Sequence, residues 1–92
     1  MKTVVFDTPG QRELGLQFMP AIPEDTVFIF PITYPGAVFH SQNVPEPFEV
    51  VFMSSQEKVL LRKILTPPGD TIVAPHGTTH TYEARPGVLD GL

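Results

Sequence analysis

The chain has 92 residues, a formal net charge of −4 at pH 7 and no cysteine, and 41% of its residues are hydrophobic. This length is that of one small domain, so we expect residues 1–92 to share a single core. The lack of cysteine excludes disulfides, thiolate metal sites and a cysteine nucleophile. The six lysines and arginines are scattered, which argues against a nucleic-acid partner because phosphate binding needs a clustered basic face.

Apolar runs are short throughout the sequence. The opening residues, MKTVVFDTPG, meet proline and glycine after only three consecutive apolar residues, so they lack the apolar stretch of a signal peptide. No later run has the length needed to span a membrane. We therefore expect a soluble, cytoplasmic or otherwise intracellular protein with no signal peptide, transmembrane segment or membrane partner.

Eleven prolines divide the chain into short segments. Each proline lacks a backbone donor and restricts the residue before it, so long helices are disfavoured. The remaining segments, about five to eight residues long, are typical of strands. The sequence predicts a mainly β fold, a small single-domain barrel or sandwich of short, mostly antiparallel strands with one short N-terminal helix.

The N-terminal strand and helix have clear sequence signals. KTVVF is the first predicted strand, and TPGQRELGLQFM follows it. Here Thr8 fits the helix N-cap, Pro9 the first helical position, and Gln11 completes a Thr-x-x-Gln capping box. Gly15 weakens the helix by about 1 kcal/mol relative to alanine, so we expect about two to three turns at most.

Six further strand-like segments follow, separated by turn signals. They are TVFIF, GAVFHS, FEVVFM, KVLLRKIL, DTIVA and THTYEA. The periodicity of KVLLRKIL also fits a helix, but its position between a turn and a Pro-Pro-Gly stop favours a strand. In the last segment, alternation places His80 and Tyr82 on one face and Thr81 and Glu83 on the other.

No motif indicates a catalytic centre. The serines lack the Gly-x-Ser-x-Gly setting of hydrolases, and no glycine-rich segment matches a phosphate loop or a dinucleotide fingerprint. Catalytic residues are therefore unassigned. The sequence favours a non-enzymatic binding or interaction module that needs no cofactor.

Histidines and carboxylates leave one alternative, a metal site. GDTIVAPHGTTHTYEA, Gly69 to Ala84, resembles the second motif of the cupin barrels, which implies a metal ligand at His80. The first cupin motif would start at His40, with Gln42 where a second ligand histidine belongs and with Glu49 farther along. The resemblance implies a divalent metal held by His40, Glu49 and His80, with open positions for water.

A second resemblance covers nearly the whole chain. RELGLQFMPAIPEDTVFIFP, FHSQNVPEPFEVVFMSSQEKVL and HTYEARPG are similar in order and spacing to the domain of unknown function 192 family. The matching positions are Gly15, Leu16, Phe18, Pro23, Glu24, Asp25, Phe28, Phe30, Pro31, Phe39, Asn43, Pro47, Phe52, Glu83 and Gly87. The family's Trp-Met-Lys is replaced by His40-Ser41-Gln42. The resemblance implies a compact, mainly β domain with one short helix and no established reaction.

The substituted segment is the candidate binding surface. Small-molecule and peptide sites combine apolar walls with a few convergent polar groups. The candidate ligand-binding residues are Phe39, His40, Gln42, Asn43 and Glu49. The ligand would be an unidentified protein or small molecule, and short exposed edge strands favour homo-oligomerisation.

Each polar residue also has a structural interpretation. His40 fits a neutral histidine bonded to a backbone carbonyl, and Asn43 fits a turn with a left-handed backbone. Glu46, beside two prolines, is expected to be a solvated loop charge. The phenylalanines and tyrosines are expected mostly to form one core.

Overall fold

The computed structural model describes all of residues 1–92 and contains one helix and seven strands. In chain order they are β1 (Lys2–Val5), α1 (Pro9–Leu14), β2 (Thr26–Phe30), β3 (Val38–His40), β4 (Phe48–Met53), β5 (Val59–Leu65), β6 (Thr71–Val73) and β7 (His80–Ala84). Each predicted strand is present. The ambiguous segment KVLLRKIL forms β5, as its flanking turns indicated.

The helix begins with the predicted capping box. The backbone N–H of Gln11 donates to Thr8 Oγ1 at 3.2 Å, and the backbone N–H of Thr8 donates to Gln11 Oε1 at 3.1 Å. Pro9 occupies the first helical position, where no N–H is needed. The helix ends after six residues because Gly15 adopts φ +54°, which glycine tolerates better than other residues.

The strands form two sheets that do not close into a barrel. The larger sheet has the order β1-β2-β7-β4-β5, and β3 pairs with β6 in the smaller one. The β1–β2 pair is parallel, and all other pairs are antiparallel. The predicted mainly β fold with mostly antiparallel strands and one short helix is therefore confirmed, whereas the barrel alternative is wrong.

The main core lies between the larger sheet and the smaller sheet. In β4 all six residues are buried, and Phe48, Val50 and Phe52 belong to this core. Phe39 of the smaller sheet meets Phe52 edge-to-face, with ring centroids 5.3 Å apart. Phe39 also meets Phe30 edge-to-face at 5.1 Å, and such pairs add about 0.5–1.5 kcal/mol beyond area burial.

The prediction that the aromatic residues mostly form one core is confirmed for Phe28, Phe30, Phe39, Phe48 and Phe52, and the two tyrosines are the exceptions. Tyr34 is exposed, and Tyr82 packs on the opposite face of the larger sheet. That second face is covered by the C-terminal segment through Leu89. Strand alternation explains the split, because Tyr82 is paired with Val51 of the second cluster.

A half-buried ion pair fixes the C-terminal segment. Arg62 donates to both carboxylate oxygens of Glu49, at 2.8 and 2.9 Å. The same guanidinium donates to the carbonyl oxygens of Leu89 and Leu92, at 3.0 Å each. One arginine therefore joins β5, β4 and the end of the chain.

The single helix has six residues, and the structure contains no helix long and apolar enough to cross a membrane.

Candidate functional site

A pocket of about 340 Å³ opens between the end of α1, the segment that follows β2, and strand β3. Its volume lies in the range of about 300–1,000 Å³ that is typical of small-molecule sites. Leu16, Phe30 and Phe48 are buried wall residues. The rim is formed by exposed apolar side chains, which include Leu14, Ile32, Tyr34 and Val38.

The turn at Gly15 and a backbone hydrogen bond to Asn43 place the pocket wall next to the helix. Gly15 ends the helix, and a Cβ atom at this position would lie 3.8 Å from Phe30 Cζ, an ordinary contact. After this turn the backbone N–H of Phe18 donates to the carbonyl oxygen of Asn43 at 2.8 Å. Asn43 has φ 62°, so the predicted left-handed turn is confirmed. The loop after β3 is thereby joined to the segment after α1.

Glu83 contributes a buried carboxyl group to the pocket. It lies on β7, the central strand of the larger sheet, and only 3% of its surface is exposed. Its cross-strand neighbours are Phe28 and Val50. Burial raises the pKa of Glu83 from its ordinary value of 4.5 to about 8, so the carboxyl is mostly protonated at neutral pH.

The pocket offers other polar groups at its walls and rim. Thr33 Oγ1 lies 2.8 Å from Thr81 Oγ1, so these two hydroxyl groups are hydrogen-bonded to each other. Arg12 lines the pocket and donates to the carbonyl oxygen of Phe6 at 3.4 Å. Neither of these groups bonds to the Glu83 carboxyl.

Two of the predicted ligand-binding residues line the pocket. Phe39 forms part of the wall and His40 part of the rim. His40 Nδ1 accepts a hydrogen bond from the backbone N–H of Gln42 at 3.1 Å, in place of the expected bond to a backbone carbonyl. In the neutral ring the proton then resides on Nε2. Gln42 and Asn43 are exposed beyond the rim.

The structure does not bring the proposed metal ligands together. Glu49 lies on the face of the sheet away from the pocket, where Arg62 binds both of its oxygens. His80 is on that same far face, with Nδ1 2.8 Å from Thr79 Oγ1 and Nε2 2.8 Å from Glu57 Oε1. His40 is at the pocket rim. No group of three His, Cys, Asp or Glu residues could hold a metal ion.

The surroundings of His80 form a local polar cluster on the far face. Tyr82 Oη donates to Glu57 Oε2 at 3.1 Å. The other oxygen of Glu57, Oε1, lies near His80 Nε2, but the two atoms are not aligned for a hydrogen bond. Burial, followed by this hydrogen bond to Glu57, raises the pKa of Tyr82. The cluster joins the β4–β5 turn to β7 and does not reach the pocket.

The expectation that Glu46 is a solvated loop charge is wrong. Its Oε2 accepts a hydrogen bond from the backbone N–H of Ile22 at 2.9 Å, and its Oε1 lies 3.4 Å from Arg85 Nη2. Arg85 Nε also donates to the carbonyl oxygen of Ile22 at 2.6 Å. Glu46 therefore anchors the segment before β2 to the end of β7.

Sequence reasoning did not select Glu83 as a site residue. Strand alternation correctly placed Glu83 opposite His80 and Tyr82. The deciding facts are the pairings of β7 with β2 and β4, which put Glu83 between two buried apolar residues. A glutamate on the strand face opposite His80 and Tyr82 was the available signal.

The fold and the site define a small, mainly β domain with an apolar pocket and a buried carboxyl. A crystal structure of a protein of unknown function from Novosphingobium aromaticivorans has a similar fold, with a TM-score of 0.79 over 94% of this chain and 20% identity. The chain spans 64% of that protein's length. No family model and no curated protein matches the sequence. At this identity the likeness shows the fold alone.

Proposed function

We propose that the protein is a non-enzymatic binding module that takes the apolar part of a small molecule into this pocket. The observation that carries the proposal is the cluster of exposed apolar side chains around a concave, mainly apolar site. Apolar area removed from water contributes about 25 cal/mol per Å². A ligand that covers this rim therefore gains affinity without a large change in the protein.

Two wall residues support a preformed site. Phe39 is held between Phe30 and Phe52 by edge-to-face contacts, so it needs little reordering on binding. His40 keeps its Nδ1 occupied by the N–H of Gln42, and its Nε2–H is a donor for a ligand oxygen at the rim. Phe39 therefore fixes the shape of the pocket wall, and His40 orients a ligand by hydrogen bonding.

The polar groups of the pocket support binding in preference to catalysis. The hydroxyl group of Thr33 is paired with that of Thr81, so no basic side chain activates it as a nucleophile. The metal alternative that used His40, Glu49 and His80 has no support in their positions, because these residues lie on opposite faces of the larger sheet.

We also propose that the chain is a divergent member of the domain of unknown function 192 family. Support comes from the order and spacing of the matching residues. Five matching positions line the pocket: Gly15, Leu16, Phe30, Phe39 and Glu83. A soluble, intracellular location belongs to the same proposal, as does homo-oligomerisation through the exposed apolar residues of edge strand β5.

A matched pair of substitutions tests the pocket. Val38 and Val73 are cross-strand partners with 59% and 52% of their surfaces exposed, and only Val38 lines the pocket. We expect Val38→Trp to obstruct the site and Val73→Trp to leave it open. The measurement is a thermal-shift screen of small apolar compounds, because a ligand that binds the native state raises Tm.

Compounds that stabilise the wild type should also stabilise Val73→Trp and should lose at least tenfold in affinity for Val38→Trp. Mass spectrometry of the purified wild-type protein under native conditions gives a second readout for any co-purified molecule. If no compound stabilises the wild type, or if both variants respond alike, the pocket is not the binding site.

A further inference from the structure

The position of Glu83 restricts what can approach its carboxyl group. The strands on either side of β7 place Phe28 and Val50 directly beside it, both buried. Glu83 is itself more than nine-tenths buried, and it lines the pocket. A molecule that reaches this carboxyl must therefore enter through the pocket.

The carboxyl has no partner within the protein. It takes part in no hydrogen bond and no ion pair, and burial is the one cause that shifts its pKa. The other ionisable residues that line the pocket are Arg12, Glu13, Tyr34 and His40. An unpaired buried carboxyl costs the folded state free energy, so leucine or methionine would serve packing better at this position. A group of this kind in a cleft indicates a functional site.

The chemistry of the Glu83 carboxyl decides which ligand group can pair with it. An ionised carboxylate only accepts hydrogen bonds, and no protein donor is available to stabilise its charge here. A protonated amine supplies both positive charge and N–H donors, which makes the strongest kind of hydrogen bond. An alcohol supplies no charge, and a ligand carboxylate would place two acidic groups side by side.

Building on the proposed binding function, we propose that the pocket selects molecules that combine an apolar body with a protonated amine, which pairs with the Glu83 carboxylate. The apolar body contacts Phe39 and the rim, while the amine reaches the central strand. No covalent step is involved. The one chemical change in the protein is the transfer of a proton from Glu83 to solvent.

This proton transfer makes binding depend on pH. Only the ionised fraction of Glu83 pairs with an ammonium group, and the apparent affinity is reduced by that fraction. With a pKa of about 8, affinity for an amine should rise about 50-fold between pH 6 and pH 8. Amines of this kind stay protonated over this range, as lysine does. His40 also lines the pocket, so a His40 variant serves as a control.

Three probes with one apolar body separate the possibilities: 2-phenylethylamine, 2-phenylethanol and 3-phenylpropanoate. Calorimetric titration of the wild type at pH 8 should show the amine binding at least tenfold more tightly than the alcohol and the carboxylate. In Glu83→Gln the amine and the alcohol should bind with similar affinities at every pH, so both the preference for the amine and the pH dependence should be lost. In His40→Gln the affinity for each probe can change, but the rise in amine affinity between pH 6 and pH 8 should remain.

The wild type alone provides a second measurement in case Glu83→Gln does not fold. Titrations at pH 7 in buffers of different ionisation enthalpy should show release of about one proton per amine bound, because the mostly protonated carboxyl must ionise. If amine and alcohol bind equally, if the carboxylate binds best, or if no proton is released, the amine proposal is overturned while the pocket remains a binding site. If no probe binds and the apolar screen is also negative, the proposed function fails as well.

Discussion

Glu83 and Glu49 are buried glutamates of the same sheet with opposite surroundings. Glu49 is 7% exposed on the far face and holds Arg62 through two short hydrogen bonds. Glu83 is 3% exposed on the pocket face and has no partner. Removing the partner of a paired buried carboxylate lowers the free energy of unfolding. An unpaired buried carboxylate lowers the free energy of unfolding by its presence alone. Substitution by leucine is therefore expected to change stability in opposite directions at the two positions.

At the scale of the residue, we expect Glu83→Leu to stabilise the protein by about 3 kcal/mol at pH 7, because an apolar side chain replaces a buried carboxyl that has no protein partner and must hold a proton at this pH. Glu49→Leu should destabilise it by about 1–3 kcal/mol, because Arg62 loses its partner while remaining partly exposed. Urea unfolding of both variants measures the two effects. A loss of stability in Glu83→Leu would mean that the carboxyl is satisfied in the native protein.

At the scale of the element, the capping box sets the start of α1 and therefore the wall of the pocket that follows it. Thr8→Ala removes the acceptor of the Gln11 N–H and should lower stability by about 1 kcal/mol. Ser55→Ala, at an exposed turn position, is the control and should have no effect. Thermal unfolding compares the two variants. Equal stabilities would show that the capping box does not hold this helix.

The elements were predictable because local signals define them. The capping residues of α1 lie within four positions of one another, and the apolar segments of β2 and β4 are bounded by turns. The pairing of β7 with β2 and β4 was not predictable, since it joins segments far apart in the chain that share no local signal. The segment from Gly69 to Ala84 illustrates the same limit, because its turn signals correctly indicated β6 and β7 and yet His80 faces away from His40.

The candidate site was predictable in part, because some of its residues lie on a strand that local signals define. Phe39 and His40 line the pocket because they lie on β3, a strand whose position over the larger sheet brings it to the helix end. Glu49 is one residue from the buried core positions Phe48 and Val50, and alternation sends it to the other face. A sequence contains this alternation, but it does not say which face carries the pocket until the sheet order is known.

At the scale of the whole molecule, Glu83 should make the free energy of unfolding depend on pH. Its pKa is about 8 in the native state and near its ordinary value of 4.5 in the unfolded chain. Between these two values the native protein holds a proton that the unfolded chain has released. The Glu83 contribution is therefore fully present below about pH 4.5 and is lost as the pH rises, by up to about 1.4 kcal/mol per unit, until it levels off above pH 8.

Comparison with Glu83→Leu isolates this effect, because all other titrating groups are shared by the two proteins. The stability of the variant relative to the wild type should grow from pH 5 to pH 8 and level off near pH 9, as measured by urea unfolding at each pH. Saturating 2-phenylethylamine should reduce the difference at pH 8, since the ammonium group then pairs with the carboxylate in the native state. A difference that does not change with pH would show that the native protein does not raise the pKa of Glu83, and it would contradict the proton release expected on amine binding.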